Sequence, residues 1–293
     1  MVRFRDFIGV FLFALIWAAP ARAEGVKAVA SIAPVHSLLS AVMEGAASPR
    51  LLLPGGASPH AYAMRPSAAR ALSEARVVFW VGPGLDGFMV KPISALSKRV
   101  ITVELVTAEG VKTRVFRDVG GTDPHVWLDP RNAAAITRIM VAVLADADPA
   151  NAALYRDNGS KLLAGLVKLE AEIRQILEPV AGVPFLVFHD AFGYFEDRFG
   201  LASAGAVTVS PDRPPGAKRI SALRRLIRTE KIPCVFTEPE FEPALARTLI
   251  EGSKARIGIL DPLGAGLDPG PGLYGELMEG LARSFAGCLK SRL

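Results

Sequence analysis

The sequence predicts an α/β fold in which two similar halves are joined by one long helix. Short aliphatic segments bounded by Pro, Gly or Ser alternate with segments of helical period, which predicts strands alternating with helices. The alternation occurs once before residues 149–180 and once after them. Alternating strands and helices form a mostly parallel central sheet flanked by helices, because right-handed crossovers return the chain over the sheet.

Each half contains four predicted strands. In the first half these are 26–32, 50–53, 77–81 and 100–105, with predicted helices at 35–43 and 67–74. In the second half the strands are 184–188, 204–209, 232–237 and 255–260, with helices at 194–199, 220–229, 243–252 and 273–288. The repeated order of elements indicates an N-terminal α/β lobe at 24–148 and a C-terminal α/β lobe at 181–293.

The segment 149–180 is predicted to be a single linking helix. Its apolar residues recur at steps of four and three, and they are Leu162, Leu166, Leu169, Ile173, Ile176 and Val180. That spacing places one apolar stripe on a helix of about 30 residues, or about 45 Å. Asp148 before Pro149 is typical of a helix start, and Pro179 and Gly182 favour its end. The pattern alone also allows a long helix packed on one continuous sheet.

Composition excludes two broad classes of protein. The chain has 293 residues, of which 51% are hydrophobic and 22% charged, so it is not disordered as a whole. Its formal net charge is +5, and no run of Lys and Arg with interleaved aromatics is present. We therefore expect no nucleic-acid partner.

Residues 1–23 are predicted to be a cleavable signal peptide. Arg3 and Arg5 precede the apolar segment 8–19, and the small residues Ala21 and Ala23 match a cleavage site. The apolar segment is short for a bilayer span, although an N-terminal membrane anchor is the alternative. No Cys lies near the predicted cleavage site. We expect a mature protein that begins near Glu24, lies outside the cytoplasm and carries no lipid anchor.

Cys234 and Cys288 are the only cysteines of the chain. In an oxidising compartment an isolated pair is expected to form a disulfide. The alternative is two buried free thiols, because Cys234 lies in an apolar strand-like segment.

Three histidines and two carboxylates occupy positions near the ends of predicted strands. His60 lies in the loop after one strand, His189 directly follows another, and His125 lies between two Asp-Pro turns. Glu238 and Asp261 each follow a strand of the second half. In open α/β sheets, ligands bind in a crevice at the carboxyl ends of the strands. Three imidazoles and a carboxylate there predict a four-coordinate divalent metal site suited to Zn²⁺.

The mature chain resembles the periplasmic substrate-binding proteins of bacterial zinc ABC importers from Val26 to the C-terminus. The resemblance rests on the Cys234–Cys288 pair and on LLLPGGASPHAYAMRPS (51–67), FWVGPGLDGFM (79–89), HVWLDP (125–130), FHDAFGYFEDRFGL (188–201), CVFTEPEF (234–241) and LDPLG (260–264). It implies two α/β lobes joined by a long helix, with the metal in the cleft between the lobes.

The resemblance also implies ligands and a function. His60, His125 and His189 occupy the family's metal-ligand positions, and Asp261 matches a carboxylate that some relatives use as the fourth ligand. The expected protein is a monomer and not an enzyme. It captures one Zn²⁺ per chain in the periplasm and delivers it to the integral-membrane permease of an ABC importer. Manganese-binding relatives carry Glu at the position of His189, so His there favours zinc.

The chain departs from the family in the loops around the site. Residues 113–123 contain no His, whereas many zinc-binding members have a His-rich loop there, so no second zinc site of comparable strength is expected. Pro59 and Ala61 flank His60 where relatives often carry acidic residues. Asp261 or water is therefore left as the fourth ligand.

Other interpretations remain open at this stage. One is a manganese receptor of the same fold. Another is a secreted zinc hydrolase with Glu238 as the base, which the absence of an HExxH motif disfavours. His36 is expected to be structural or to support the ligands. Asp190 and Glu196 either orient ligands or are explained as solvated helix charges or an N-cap.

Overall fold

The computed structural model describes residues 25–117, 120–209, 215–241 and 244–290. The N-terminal lobe contains a four-stranded parallel sheet with the order β2-β1-β3-β4. Its elements are β1 (Ala28–Ala30), α1 (Ala33–Met43), β2 (Arg50–Leu51), α2 (Pro66–Glu74), β3 (Val77–Trp80), α3 (Val90–Ser94) and β4 (Ile101–Glu104).

The C-terminal lobe repeats this topology. Its sheet is also four-stranded and parallel, with the order β6-β5-β7-β8. Two separate sheets confirm the predicted two-lobe fold and exclude the alternative of one continuous sheet. The elements are β5 (Phe185–His189), α6 (Gly193–Phe199), β6 (Ser203–Thr208), α7 (Ala217–Thr229), β7 (Cys234–Thr237), α8 (Ala244–Ile250), β8 (Arg256–Ile259) and α9 (Leu273–Leu289).

Two helices, α4 (Pro130–Ala147) and α5 (Ala152–Leu177), connect the lobes. Helix α4 was not among the predicted elements, although Asp129 caps its N-terminus by accepting a hydrogen bond from the Arg131 backbone N–H at 2.8 Å. Helix α5 has 26 residues, fewer than predicted, because short 3₁₀ turns take up the residues on either side. Part of its predicted stripe is buried, including Leu166, Leu169 and Ile173.

The largest hydrophobic core extends through both lobes. It joins Leu38 of α1 and Phe79 of β3 to Ile173 of α5, and then to Phe185 of β5 and Phe285 of α9. Hydrogen bonds cross the same boundary, since Trp127 Nε1 donates to the Pro262 carbonyl and Tyr274 Oη donates to the Trp127 carbonyl, each at 2.8 Å. The lobes are therefore packed together along the linking helices.

A disulfide joins Cys234 of β7 to Cys288 of α9, 54 residues further along the chain. This confirms the predicted pairing. The bond ties the last helix to a central strand of the C-terminal lobe.

No helix within the described residues is both long and apolar enough to span a bilayer. The predicted signal peptide at 1–23 lies outside the described residues.

Candidate metal centre

Three histidines that are far apart in the sequence meet between the lobes. His60 lies in the loop between β2 and α2, His125 precedes α4, and His189 is the last residue of β5. One nitrogen from each ring can be chosen so that all three lie within 4.8 Å of one another. The structure therefore brings together the three predicted imidazole ligands, two from the N-terminal lobe and one from the C-terminal lobe.

Two of these rings already have the separation that a tetrahedral zinc ion requires. Nε2 of His125 lies 3.3 Å from Nε2 of His189. Two nitrogens that bind one tetrahedral Zn²⁺ at 2.0–2.1 Å are about 3.3 Å apart. The two lone pairs can therefore converge on a single ion.

The opposite nitrogen of each of these rings is held by a buried carboxylate. His125 Nδ1 lies 2.7 Å from Asp123 Oδ1, and His189 Nδ1 lies 2.6 Å from Glu238 Oε1. Since each carboxylate accepts a hydrogen bond from Nδ1–H, the tautomer that leaves Nε2 free for metal is favoured in both rings. The sequence placed Glu238 near the cleft but did not identify Asp123 as a partner of His125.

The pKa values of the carboxylate-bound pairs reflect these contacts. Burial opposes charge on His189, but the charge of Glu238 and its hydrogen bond outweigh burial and raise the pKa of the imidazole. Burial likewise opposes charge on Asp123, while the contacts with His125 and Arg114 lower its pKa. Both pairs lie in the interior, where such contacts are screened little by salt.

His60 is in a different environment. It is partly exposed, and its ring is inclined to the other two, at 53° to His125 and 85° to His189, with centroids 5.9 and 5.7 Å away. Burial, followed by repulsion from His125 and His189, lowers the pKa of His60 to about 3. His60 is therefore neutral at physiological pH and can donate a lone pair without first losing a proton.

The cavity at this point is small. Its free volume is about 10 Å³, which is about that of one water-sized sphere. The walls come from both lobes and comprise Ser58, Pro59, His60, Leu85, His125, Trp127, His189, Glu238, Glu240, Phe241, Pro262 and Leu263. The space suits a single ion.

Asp261, the predicted fourth ligand, has a role in its own loop. Its Oδ1 accepts hydrogen bonds from the backbone N–H groups of Leu263 at 3.0 Å and Gly264 at 2.7 Å. Its Oδ2 accepts from the N–H of Ala265 at 2.6 Å. The carboxylate thus fixes the turn after β8, and it is not part of the histidine group.

His36 lies away from the metal centre. Its Nε2 is 3.1 Å from the Pro49 carbonyl, and its Nδ1 is 3.5 Å from Ser40 Oγ. The first contact joins α1 to the segment before β2 and the second lies within α1, so His36 has a structural role.

Arg114 and Arg117, both in segment 113–123, link the two lobes next to the histidines. The Arg117 Nε and backbone N–H donate to the two oxygens of Asp190 at 3.0 and 3.1 Å, and its guanidinium also pairs with Glu196. Asp190 is the residue after His189. Its buried carboxylate and that of Glu196 are therefore neither solvated charges nor caps, because they hold an arginine of the other lobe.

Arg114 makes a second link in this segment. It donates to Asp123 and to Asp197 of α6, both at 3.0 Å. Gly193 permits this approach, since a Cβ there would lie 1.5 Å from the guanidinium. No local sequence pattern predicts these links, because they join residues about 80 positions apart.

Comparisons with known proteins agree with this architecture. The family model described as "ZnuA: Zinc-uptake complex component A periplasmic" matches residues 28–288. The high-affinity zinc uptake system protein ZnuA of Brucella abortus (strain 2308) is 39% identical, with 91% of this chain and 92% of the relative covered. The corresponding protein of Paracoccus denitrificans (strain Pd 1222) is 35% identical, with 93% and 94% covered.

Solved structures show the same fold. A crystal structure of ZnuA superposes on this chain with a TM-score of 0.80 at 25% identity, covering 90% of this chain and 99% of the other. The match of the family model along most of the chain, with relatives that are more than one-third identical over nearly their full length, shows that the chain belongs to the ZnuA family of periplasmic zinc-uptake components.

Proposed function

We propose that this protein captures Zn²⁺ in the periplasm and delivers it to the membrane permease of an ABC importer. The observation that carries the proposal is the convergence of three imidazoles, two of them held by carboxylates, on one ion-sized cavity between the lobes. Capture and delivery require no covalent chemistry.

The donor set supports zinc over manganese. Neutral imidazoles suit Zn²⁺, whereas Mn²⁺ prefers more oxygen ligands. Asp123 and Glu238, the acidic groups that contact the imidazoles, hydrogen-bond Nδ1 atoms. In those positions they support nitrogen ligands instead of replacing them.

The same geometry disfavours a zinc hydrolase. The cavity has about 10 Å³ of free space, which leaves no room for an organic substrate beside the ion in this conformation. Glu238, the residue that would act as the general base, is already bound to His189 at 2.6 Å.

The proposed site contains one zinc ion bound by His60, His125 and His189 together with one oxygen ligand, for which the sequence suggested Asp261 or water. The proposed mature chain starts near Glu24, has no lipid anchor and acts as a monomer. It divides at residues 149–180 into the two lobes. Segment 113–123 supplies lobe contacts in this proposal and binds no second metal ion.

Zinc titration of the mature protein in competition with a chromophoric chelator tests this function. We expect one tight zinc ion per chain and much weaker binding of Mn²⁺. Equal affinity for the two metals, or no tight binding of zinc, would contradict the proposal. A strain that lacks its own zinc importer should regain growth on scarce zinc only when it receives this protein together with its permease.

A further inference from the structure

Glu240 is an acidic side chain whose position has no structural explanation in the fold. It follows β7 by three residues, and it lines the same small cavity as the three histidines. Its neighbour Glu238 is engaged by His189 at 2.6 Å. Glu240 makes no such contact with a histidine in the described residues.

Both carboxylate oxygens of Glu240 are buried, and no other described residue donates a hydrogen bond to either of them. Burial is the main cause that raises the pKa of Glu240 to about 7; its own backbone N–H opposes this, and the negative charges of Asp261 and Glu238 raise the pKa further. A buried polar group without a partner is costly, and in native proteins it commonly marks the place of an ion or water.

Asp261 differs from Glu240 in the hydrogen bonds that its carboxylate accepts. Three backbone N–H groups at 2.6–3.0 Å occupy its two oxygens, so the folded chain already satisfies this carboxylate. Glu240 has both oxygens available. Of two carboxylates near one cavity, the one without partners gains more from a cation.

We infer that Glu240, and not Asp261, supplies the oxygen ligand that completes the zinc site. The inference rests on the proposed function and identifies a ligand within that site. One carboxylate with three neutral imidazoles gives a four-coordinate N/O shell, which suits zinc, and it halves the charge that the dication would bury. The histidine group within 4.8 Å contains imidazoles only, so ligation by Glu240 requires its carboxylate to move closer to the three rings.

Three variants test this inference: Glu240→Gln, Asp261→Asn, and Glu251→Gln as a control at an exposed acid in the same lobe that pairs with Arg224. Zinc affinity is measured by chelator competition, apo-protein stability by thermal unfolding, and the metal shell by the visible absorption of the Co²⁺ form. We expect E240Q to weaken zinc at least tenfold and to alter the Co²⁺ spectrum. We also expect it to raise the apo Tm by about 2 °C, because it removes an unpaired buried acid.

The variants separate the possible outcomes. D261N is expected to lower the apo Tm and to leave the Co²⁺ spectrum unchanged, and E251Q to change neither zinc affinity nor spectrum. Unchanged zinc affinity in E240Q would overturn the inference, as would a lower apo Tm, which would make Glu240 a structural residue. Failure of the wild-type protein to bind zinc tightly would instead remove the proposed function and this inference with it.

Discussion

His60 and His189 approach the same ion-sized cavity from opposite lobes, but they are held in different ways. His189 ends a buried strand, and Glu238 binds its Nδ1 at 2.6 Å. His60 lies in a partly exposed loop, and within the described residues no side chain hydrogen-bonds its ring. The proposed ligand on the C-terminal side is therefore preorganised, whereas the proposed ligand in the N-terminal loop is less constrained. We expect an ion to enter and leave past His60 while His125 and His189 keep their orientation.

Replacing the histidines should change zinc affinity most, and the losses at His189 and His60 should differ. His189→Ala removes a preorganised ligand and leaves Glu238 buried without its partner. We expect it to lower zinc affinity by more than about 100-fold, which exceeds the usual cost of losing a group that hydrogen-bonds a metal ligand. His60→Ala should weaken zinc less, by at least about tenfold, and should mainly speed release. Stopped-flow release into a chelator measures both, with His36→Ala as a control that stays near wild type. Equal release rates in the two variants would contradict the comparison.

Glu238→Gln tests whether zinc affinity depends on the hydrogen bond that orients His189. The amide keeps the size of the side chain but accepts a weaker hydrogen bond from Nδ1–H of His189. We expect zinc affinity to fall by about 10- to 100-fold, the usual cost of losing an outer-sphere partner. Competition titration at pH 7.5 measures the loss. A change below twofold would show that Glu238 does not orient His189.

The pH dependence of zinc affinity should be set by protonation of His189 and not of His60. Because the pKa of His189 is raised, protons compete with zinc at this ring, and affinity should fall as pH drops through that value. His60, with a pKa of about 3, contributes no proton competition between pH 5 and 7. Glu238→Gln removes the charge that raises the pKa of His189, so the fall should move to lower pH. In His60→Ala the profile should keep its shape, and a flattened profile there would refute the assignment.

Arg117→Gln tests the contacts that hold the lobes beside the site. It removes the cation from Asp190 and Glu196, which are both nearly inaccessible to solvent. Loss of one partner from such a buried pair destabilises a protein by about 3 kcal/mol. We expect a lower Tm and a zinc release rate raised only a few-fold, because no ligand is lost. Arg224→Gln, at a more exposed pair with Glu251, should change neither. Slower zinc release in Arg117→Gln would contradict the role of Arg117 in holding the two lobes together.

Loss of the disulfide should have the smallest effect on zinc affinity. Replacing Cys234 and Cys288 by Ser should lower the Tm by up to about 10 °C, because the bond closes a long loop. Neither sulfur contacts the histidine group within the described residues. Zinc affinity of the folded variant should stay within about twofold of wild type. A large loss of affinity with normal folding would link the bond to the site.

The fold and the three histidines were predictable because their signals are local. Strand and helix periods identify the alternation of elements, and a histidine at the end of a predicted strand can be recognised from the sequence alone. The partners of those histidines were not predictable from the residues. Asp123 is near His125 in sequence, but its role depends on how the chain turns at Pro124. The Arg117–Asp190 pair joins residues 73 positions apart. Helix α4 was missed, and the occupied oxygens of Asp261 appear only once the turn after β8 has formed.

X-ray absorption at the zinc edge of the loaded mature protein tests the central claim most directly. A single zinc ion held between the lobes predicts three imidazole nitrogens at about 2.0–2.1 Å and one oxygen, at one zinc per chain. His60→Ala should lose one imidazole from this shell and keep the other two. A shell that contains sulfur, fewer than three imidazoles in the wild-type protein, or a second tightly bound zinc ion would contradict the account.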